Sequence, residues 1–424
     1  MATTRQNSLG TTRGPALSVA DHEAKGRAAR AAVPRSSHAT WAPAPDRRDP
    51  ISVLEAQEAT RVPALLPLRH ARMAASPFAF FRGAAAVMAA DLATTPASGL
   101  RVQACGDAHL VNFGGYESPE RSQVFDINDF DETLPGPWEW DVKRLAASFA
   151  VAAHDLGHDD DAARDAVGCT VLSYREAMRD FAGQRDLEVW YAHLDSTQVA
   201  KRWREQISKR DAQRVRRMAD KALTKDSVRA LASLCERVDG NLRIVSEPPV
   251  IVRWQDLIPP EDADAALDHI RSALRVYRRT LQPDRAHLLD GYRIVDFARK
   301  VVGVGSVGTR CWLVLLLGRD ENDPLFLQIK EAEASVLEPF VGSGYKDHRQ
   351  RVVEGQRLMQ SASEIFLGWS RDSGFDRIAI AAYLGSKDVF DRAIVEFALA
   401  YRDQNTRDHA AVAAAAQGGR LAVV

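Results

Sequence analysis

A chain of 424 residues, 46% hydrophobic and 27% charged, is long enough for two or three domains and for a sizeable buried core. Its formal net charge of -1 excludes a global electrostatic pull toward nucleic acid or an anionic membrane. No apolar run approaches the roughly 18 residues that span a bilayer. Cys105, Cys169, Cys235 and Cys311 lack CxxC spacing, so reduced thiols in a cytoplasmic protein are expected.

In chain order, residues 1–48 are rich in Ala, Arg, Ser, Thr and Pro, without the apolar stretch of a secretory signal, and read as a disordered, mildly basic arm. A short helix is expected over 51–62, ended by Pro63 and Pro67. Ser76 and Pro77 then open a helix that should run to Leu92, with Phe80, Phe81, Ala84, Val87 and Met88 at helical spacing. Arg69, Arg72 and Arg82 could reach a phosphate there, although arginines on helices are more often solvated or ion-paired.

Residues 100–104 and 124–129 alternate like strands. Between and beyond them lie Cys105-Gly-Asp-Ala-His-Leu-Val-Asn-Phe-Gly114 and Phe125-Asp-Ile-Asn-Asp-Phe-Asp-Glu132. A helix is expected over Trp138–Gly157, with Asp141 near its start favouring the helix dipole. Helical sequence continues from Asp160 to Arg237. Its basic stretch, Lys201–Arg229, is interleaved with Glu205, Asp211, Asp220 and Asp226, which argues for a charged exposed face over nucleic-acid binding.

After a helix at 262–280, three β-rich runs joined by tight turns read as an antiparallel meander. These are Tyr292–Val302, Thr309–Leu317 and Leu325–Ala332. Further helices are expected at 346–363 and 388–405, followed by an Ala-rich tail.

Two stretches carry chemistry. Gly303-x-Gly305-x-x-Gly308 is followed by β-like rather than helical sequence, which argues against a dinucleotide fold. A glycine loop between two antiparallel strands, with a lysine on the third, is the arrangement by which kinases cover and contact nucleotide phosphates. Ser306 lies within that loop and Lys330 ends the third run. The opposing explanation, a glycine-rich hairpin with an edge lysine, is equally good for this stretch alone.

The acidic stretch separates the two. Phosphoryl transfer needs an Asp to position and deprotonate an acceptor hydroxyl, and an Asn and a second Asp to hold Mg²⁺ against the phosphates. Asp107, then Asn112 in the same loop, then Asp129 and Asp131 supply these groups in order, with His109 a second catalytic candidate. Which of Asp126, Asp129 and Asp131 binds metal stays open. A dinuclear phosphoesterase would want further metal-binding histidines, and an EF-hand starting at Asp126 lacks Gly at its sixth position and Glu at its twelfth. In ordinary kinases the glycine loop comes first. Here it follows Asp107 by almost 200 residues, so a circularly permuted two-lobed kinase-like fold of the α+β class is expected. That order is tolerable because domain termini often lie close together at the surface.

The two acidic motifs, the Thr133-Leu-Pro-Gly-Pro-Trp-Glu-Trp-Asp-Val-Lys-Arg-Leu145 run, Ser76-Pro-Phe-Ala-Phe-Phe-Arg-Gly83, Gly303–Ala332 and Arg351–Gln360 together resemble one bacterial family. It is the domain-of-unknown-function 2252 family, grouped with protein-kinase-like and aminoglycoside-phosphotransferase-like proteins. The resemblance covers about Pro34 to the C-terminal helix. It implies Asp107 as catalytic base, Asn112 and Asp129 as metal ligands, Asp131 as a further ligand and Asp141 as a structural group. It also implies that Lys330 contacts nucleotide phosphates with a helix partner at Glu354, or less favourably Glu338. Mg²⁺ and ATP are the implied cofactors, with an unknown small-molecule or protein acceptor. No substrate comes with the resemblance. After Phe366–Trp369 the sequence departs from the family, passing from Arg371 almost directly to Ser373 without the expected strand and helix. The hinge that contacts adenine is thereby in question, and the competing expectation is a catalytically impaired nucleotide- or partner-binding protein. The implied organisation is an arm (1–48), a helix-rich catalytic-loop lobe with a helical insertion (49–285), a truncated nucleotide lobe (286–375) and a C-terminal helix with its tail (376–424).

Overall fold

The computed structural model describes residues 17–195, 227–363, 365–367 and 376–424. The elements follow in chain order as α1 (Val19–Ala32), α2 (Pro50–Glu58), α3 (Leu66–Ala74), α4 (Pro77–Gly83) and α5 (Ala85–Leu92). Then come β1 (Arg101–Ala104), β2 (Phe113–Glu117), β3 (Gln123–Ile127), β4 (Leu134–Pro137), α6 (Trp138–Asp155), α7 (Asp160–Ala182) and α8 (Asp186–Trp190). Beyond the undescribed stretch are α9 (Ser227–Leu234), β5 (Cys235–Val238), β6 (Asn241–Ile244), β7 (Ile251–Arg253), α10 (Ala263–Arg278) and α11 (Pro283–Asp290). The chain closes with β8 (Arg293–Lys300), β9 (Cys311–Leu317), β10 (Pro324–Lys330), α12 (Glu338–Val341), α13 (His348–Met359), α14 (Arg377–Leu384) and α15 (Val389–Gln417). The architecture is α+β with small antiparallel sheets. No helix of the described residues is long and apolar enough to cross a membrane. The basic stretch Lys201–Arg229 lies almost wholly outside the described residues.

Helix α6 is the pillar of the helical part, because apolar residues cover two of its faces. Trp138, Val142, Ala146 and Ala150 pack with α7, α14 and α15 through Val167, Tyr383, Phe390 and Ile394. Trp140, Ala147 and Val151 face Phe81, Met88, Ala104, Leu134 and Phe397. Its run of small alanines lets neighbouring helices approach closely, and each large side chain removed from water contributes about 1.5–3 kcal/mol. Helix α15 extends to Gln417, well past the expected end. Val412 and Leu421 are drawn into a cluster with Ile51, Leu54 and Met73, so the Ala-rich segment is packed.

Two further expectations are corrected. Residues 19–32 of the anticipated disordered arm form a helix. Ser18 and Asp21 make a capping box, Gly26 lies against the Ala379 carbonyl with no room for a side chain, and Lys25 pairs with Asp376. The helix expected over 76–92 is two. Ser76 caps α4 as anticipated, but Ala84 leaves helical geometry, and the Gly83 carbonyl accepts from Arg69 instead of a following amide.

The meander forms as expected: β8, β9 and β10 pair antiparallel, in the sheet order β10-β9-β8-β7. Its glycine loop joins β8 to β9, and Lys330 stands opposite Cys311 at the end of β10. Among the described residues no strand follows β10.

Candidate functional site

Two small ladders bring the acidic stretches together. Ala104 pairs with Leu134 in β1–β4, and Phe113 pairs with Ile127 in β2–β3. The loops 105–112 and 128–133 each run between these ladders and are therefore held side by side at both ends. Gly106 makes the close approach possible: its φ is +80°, and a Cβ there would lie 2.4 Å from the Glu132 carbonyl oxygen.

Asn112 braces the pair of loops. Its side-chain nitrogen donates to the carbonyls of Asp129 (3.1 Å) and Asp107 (3.2 Å). Asp141, one turn into α6, accepts from the Cys105 and Gly106 amides at 2.6 and 2.9 Å, so it is structural. Burial pushes its carboxyl up to about 6 against those bonds. One turn later Arg144, 2% exposed, donates through Nε to Asp107 Oδ1 at 2.8 Å and through Nη2 to the Phe81 carbonyl at 3.0 Å. Its Nη2 contacts the same Asp107 oxygen. The other oxygen, Oδ2, is 3.8 Å from His109 Nε2. Burial lowers the pKa of His109, which keeps it neutral beside this ion pair.

The meander supplies the opposite wall. Lys330 Nζ lies 3.4 Å from both oxygens of Asp129 and 3.3 Å from Asp131 Oδ2. Burial disfavours the ammonium, but the two carboxylates outweigh it and raise the lysine pKa. Burial together with Asp129 pushes Asp131 up to about 6. Ser306 of the glycine loop reaches Asp131 Oδ2 at 3.4 Å.

Three arginines fasten the glycine loop by its carbonyls: Arg72 to Gly303, Arg69 to Gly305 and Arg61 to Val307, each at 2.6 Å. Arg69 and Arg72 therefore brace protein backbone rather than offering themselves to an anion. Gly308, at φ +97°, fits under Arg61, whose Cβ would be 3.0 Å from an added Cβ. Between the two walls is a cleft of about 270 Å³, lined among others by Arg82, Asp107, Asp129, Asp131, Gly305 and Ser306.

Of the residues anticipated from sequence, Asp107, His109, Asn112, Asp129 and Asp131 lie in the paired loops, and Ser306 and Lys330 join them from the meander. Glu354 is not brought to Lys330. It accepts from Gln350 at 2.8 Å on α13, while Glu338 lies 3.8 Å from Arg351 and 3.4 Å from His348. The lysine is paired with Asp129 and Asp131 instead. Asp126 accepts from the amides of Ile127 and Ser361 at 2.8 and 2.9 Å, a structural use.

Sequence reasoning missed the roles of Arg144 and Arg351. The i, i+3 spacing of Asp141 and Arg144 on an otherwise apolar helix was the available signal for the first. Arg351, fully buried on α13, donates to the carbonyls of Thr133, Asp131 and Glu333 at 2.6, 2.8 and 2.7 Å.

Glu132 provides a pH test of this packing. Burial raises its carboxyl from 4.5 to about 7, against the Val336 amide, which donates to it at 2.7 Å, and against Arg351. The folded state thus holds the proton longer than the unfolded state. The associated stability is full below about pH 4.5 and is lost as pH rises through about 7. Glu132→Gln should therefore melt higher than the parent at pH 8.5, with the gap closing by pH 5. A gap that does not change with pH would overturn the assignment.

Among the described residues, no group of three or more His, Cys, Asp or Glu side chains is arranged to hold a metal ion by itself. The chain belongs to a bacterial family, DUF2252, described as uncharacterized proteins conserved in bacteria, which matches it over residues 61–377 and 371–415. No curated protein and no solved structure matches it.

Proposed function

With that membership as premise, we propose that the protein is a kinase-like phosphotransferase with its two lobes encoded in permuted order. It moves a phosphoryl group from a Mg²⁺-bound nucleoside triphosphate to a hydroxyl of a small-molecule or protein acceptor. The observation that carries this reading is the meeting of Lys330 with Asp129 and Asp131 at 3.3–3.4 Å, across about 200 residues of chain. A strand, glycine loop, strand and lysine-bearing strand, followed by helix α13, is the local order of a nucleotide lobe. Asp107 beyond the lysine is the base candidate.

The donor set suits magnesium. Asp129 and Asp131 have side chains 41% and 33% exposed, and Mg²⁺ is commonly held by one or two carboxylates, with waters and phosphate oxygens completing its shell. The Asn112 nitrogen is committed to backbone carbonyls, so its carboxamide oxygen is the donor it could add. When bound, the ion would neutralise charge on the phosphates. The protein's own groups would position the triphosphate under the glycine loop, hold Asp107 through Arg144 and receive the acceptor proton on Asp107 Oδ2.

A second reading is a nucleotide- or partner-binding protein without turnover. It is favoured by the division of the family match into two stretches that overlap at 371–377. One measurement addresses the shared premise. ATP with Mg²⁺ at 100 times Kd should stabilise the fold by about 2.7 kcal/mol, raising Tm, and Lys330→Met should abolish the shift. If neither a shift nor competition with a fluorescent nucleotide is seen, both nucleotide readings fail and only partner binding is left of the second. Binding without turnover selects the second.

A further inference from the structure

Most of the cations around the cleft are already engaged. Arg144 holds Asp107, Lys330 is shared by Asp129 and Asp131, and Arg61, Arg69 and Arg72 donate to glycine-loop carbonyls. Arg82 is different. It is one of the residues lining the cleft, yet its side chain makes no hydrogen bond or ion pair among the described residues, and its buried Nε has no hydrogen-bond partner.

A half-buried guanidinium without hydrogen-bond acceptors carries a desolvation cost that the nearby Asp107 charge offsets only in part. Its position follows from the break between α4 and α5. Arg82 is the next-to-last residue of α4, and Gly305 packs so closely on the Arg82 carbonyl oxygen that a Cβ would lie 3.1 Å from it. The backbone of Arg82 is thus fixed against the glycine loop, and its charge is close enough to interact with that of Asp107, which borders the same cleft. The fork presents several N–H donors in one plane, a geometry that matches phosphate oxygens.

We propose that Arg82 is a catalytic residue that binds the terminal phosphate of the nucleoside triphosphate and stabilises it during transfer. The inference rests on the phosphotransferase reading above and adds a specific role to it. In the transfer, the acceptor oxygen forms a bond to the γ-phosphorus as the bond from that phosphorus to the β–γ bridging oxygen breaks. The acceptor proton passes to Asp107, and the nucleoside diphosphate leaves. The negative charge on the three equatorial oxygens during this step is what a fixed guanidinium stabilises. Lys330 sits at the Asp129 and Asp131 side of the cleft, and Arg82 supplies positive charge beside Asp107.

The test is calorimetric titration of the full chain and of Arg82→Gln and Arg82→Lys with Mg²⁺–ADP and with the Mg²⁺ complex of a non-hydrolysable triphosphate analogue. The parent should prefer the triphosphate. Arg82→Gln should weaken triphosphate binding by about 10- to 100-fold, the loss of hydrogen bonds to a charged group, and leave ADP within about twofold. Arg82→Lys should recover part of the preference. Retained ADP affinity also shows that the variant is folded. Equal losses for both nucleotides, or no loss, would overturn the role of Arg82 while leaving nucleotide binding intact. A parent that binds neither nucleotide overturns the phosphotransferase reading and this inference with it.

Discussion

Asp107→Asn is expected to lower Mg²⁺-dependent phosphoryl transfer, read as ATP hydrolysis or autophosphorylation, by about 10²–10⁴-fold, the usual contribution of a positioned general base. Nucleotide affinity should stay within about threefold, since in the proposed role Asp107 acts on the acceptor and not on the donor phosphates. The two oxygens of Asp107 divide the work. Arg144 occupies Oδ1 from Nε at 2.8 Å, which fixes the carboxylate, and Oδ2 stands free of arginine, 3.8 Å from a neutral His109. Asparagine keeps the shape and can still accept from Arg144, but it cannot take a proton. Because Arg144 is 2% exposed, the variant should also lose about 1–1.5 kcal/mol as a charged hydrogen bond becomes a neutral one. Denaturant unfolding measures that loss separately from turnover. Transfer unchanged in Asp107→Asn would remove Asp107 from the reaction.

Arg351→Ala should cost about 3–5 kcal/mol of unfolding free energy, with the midpoint in urea falling accordingly. The guanidinium is fully buried and satisfies three carbonyls, those of Thr133, Asp131 and Glu333, at 2.6–2.8 Å. Each carbonyl left without a donor costs about 1–3 kcal/mol, less whatever water entering the cavity returns. These bonds tie α13 to the acidic loop and to the segment after β10, so the same variant should weaken Mg²⁺–nucleotide binding. Arg349 is the control. It sits two residues away on the same helix, is 78% exposed and pairs only with Asp347, so Arg349→Ala should stay within about 0.5 kcal/mol. A similar small cost for Arg351→Ala would show that its bonds do not hold α13 to the acidic loop.

The elements themselves were readable where one local rule governs them. Ser76 and Pro77 announce the start of α4, the β-rich run 325–332 gives a strand over 324–330, and Trp138 opens α6 where expected. What misled were places where a distant group takes over a local bond. The single helix over 76–92 breaks because Arg69, from the preceding helix, claims the Gly83 carbonyl. Residues 19–32 of the expected arm form a helix in which Gly26 and Lys25 find α14 and its cap, about 350 residues away. Glu354 has the helical spacing of a lysine partner, but spacing along α13 does not say which way the helix is rotated. Arg351, not Glu354, is the residue of that helix that reaches the acidic loop.

Sequence alone determined the chemistry on offer. Carboxylates and amides packed between glycines at 105–132, and a glycine loop two strands ahead of a lysine, are local patterns that short-range geometry makes recognisable. It also determined family membership over most of the chain. Only the tertiary structure decided how those groups are paired. Lys330 meets Asp129 and Asp131, Asp107 is bound by Arg144, Asn112 becomes a brace, and Arg82 is left without a hydrogen-bond partner among the described residues. The physical reason is that ion pairing and desolvation depend on distances across the fold. Those distances are set by which helices pack around α6 and by two short ladders, neither of which is written in the spacing of the charged residues.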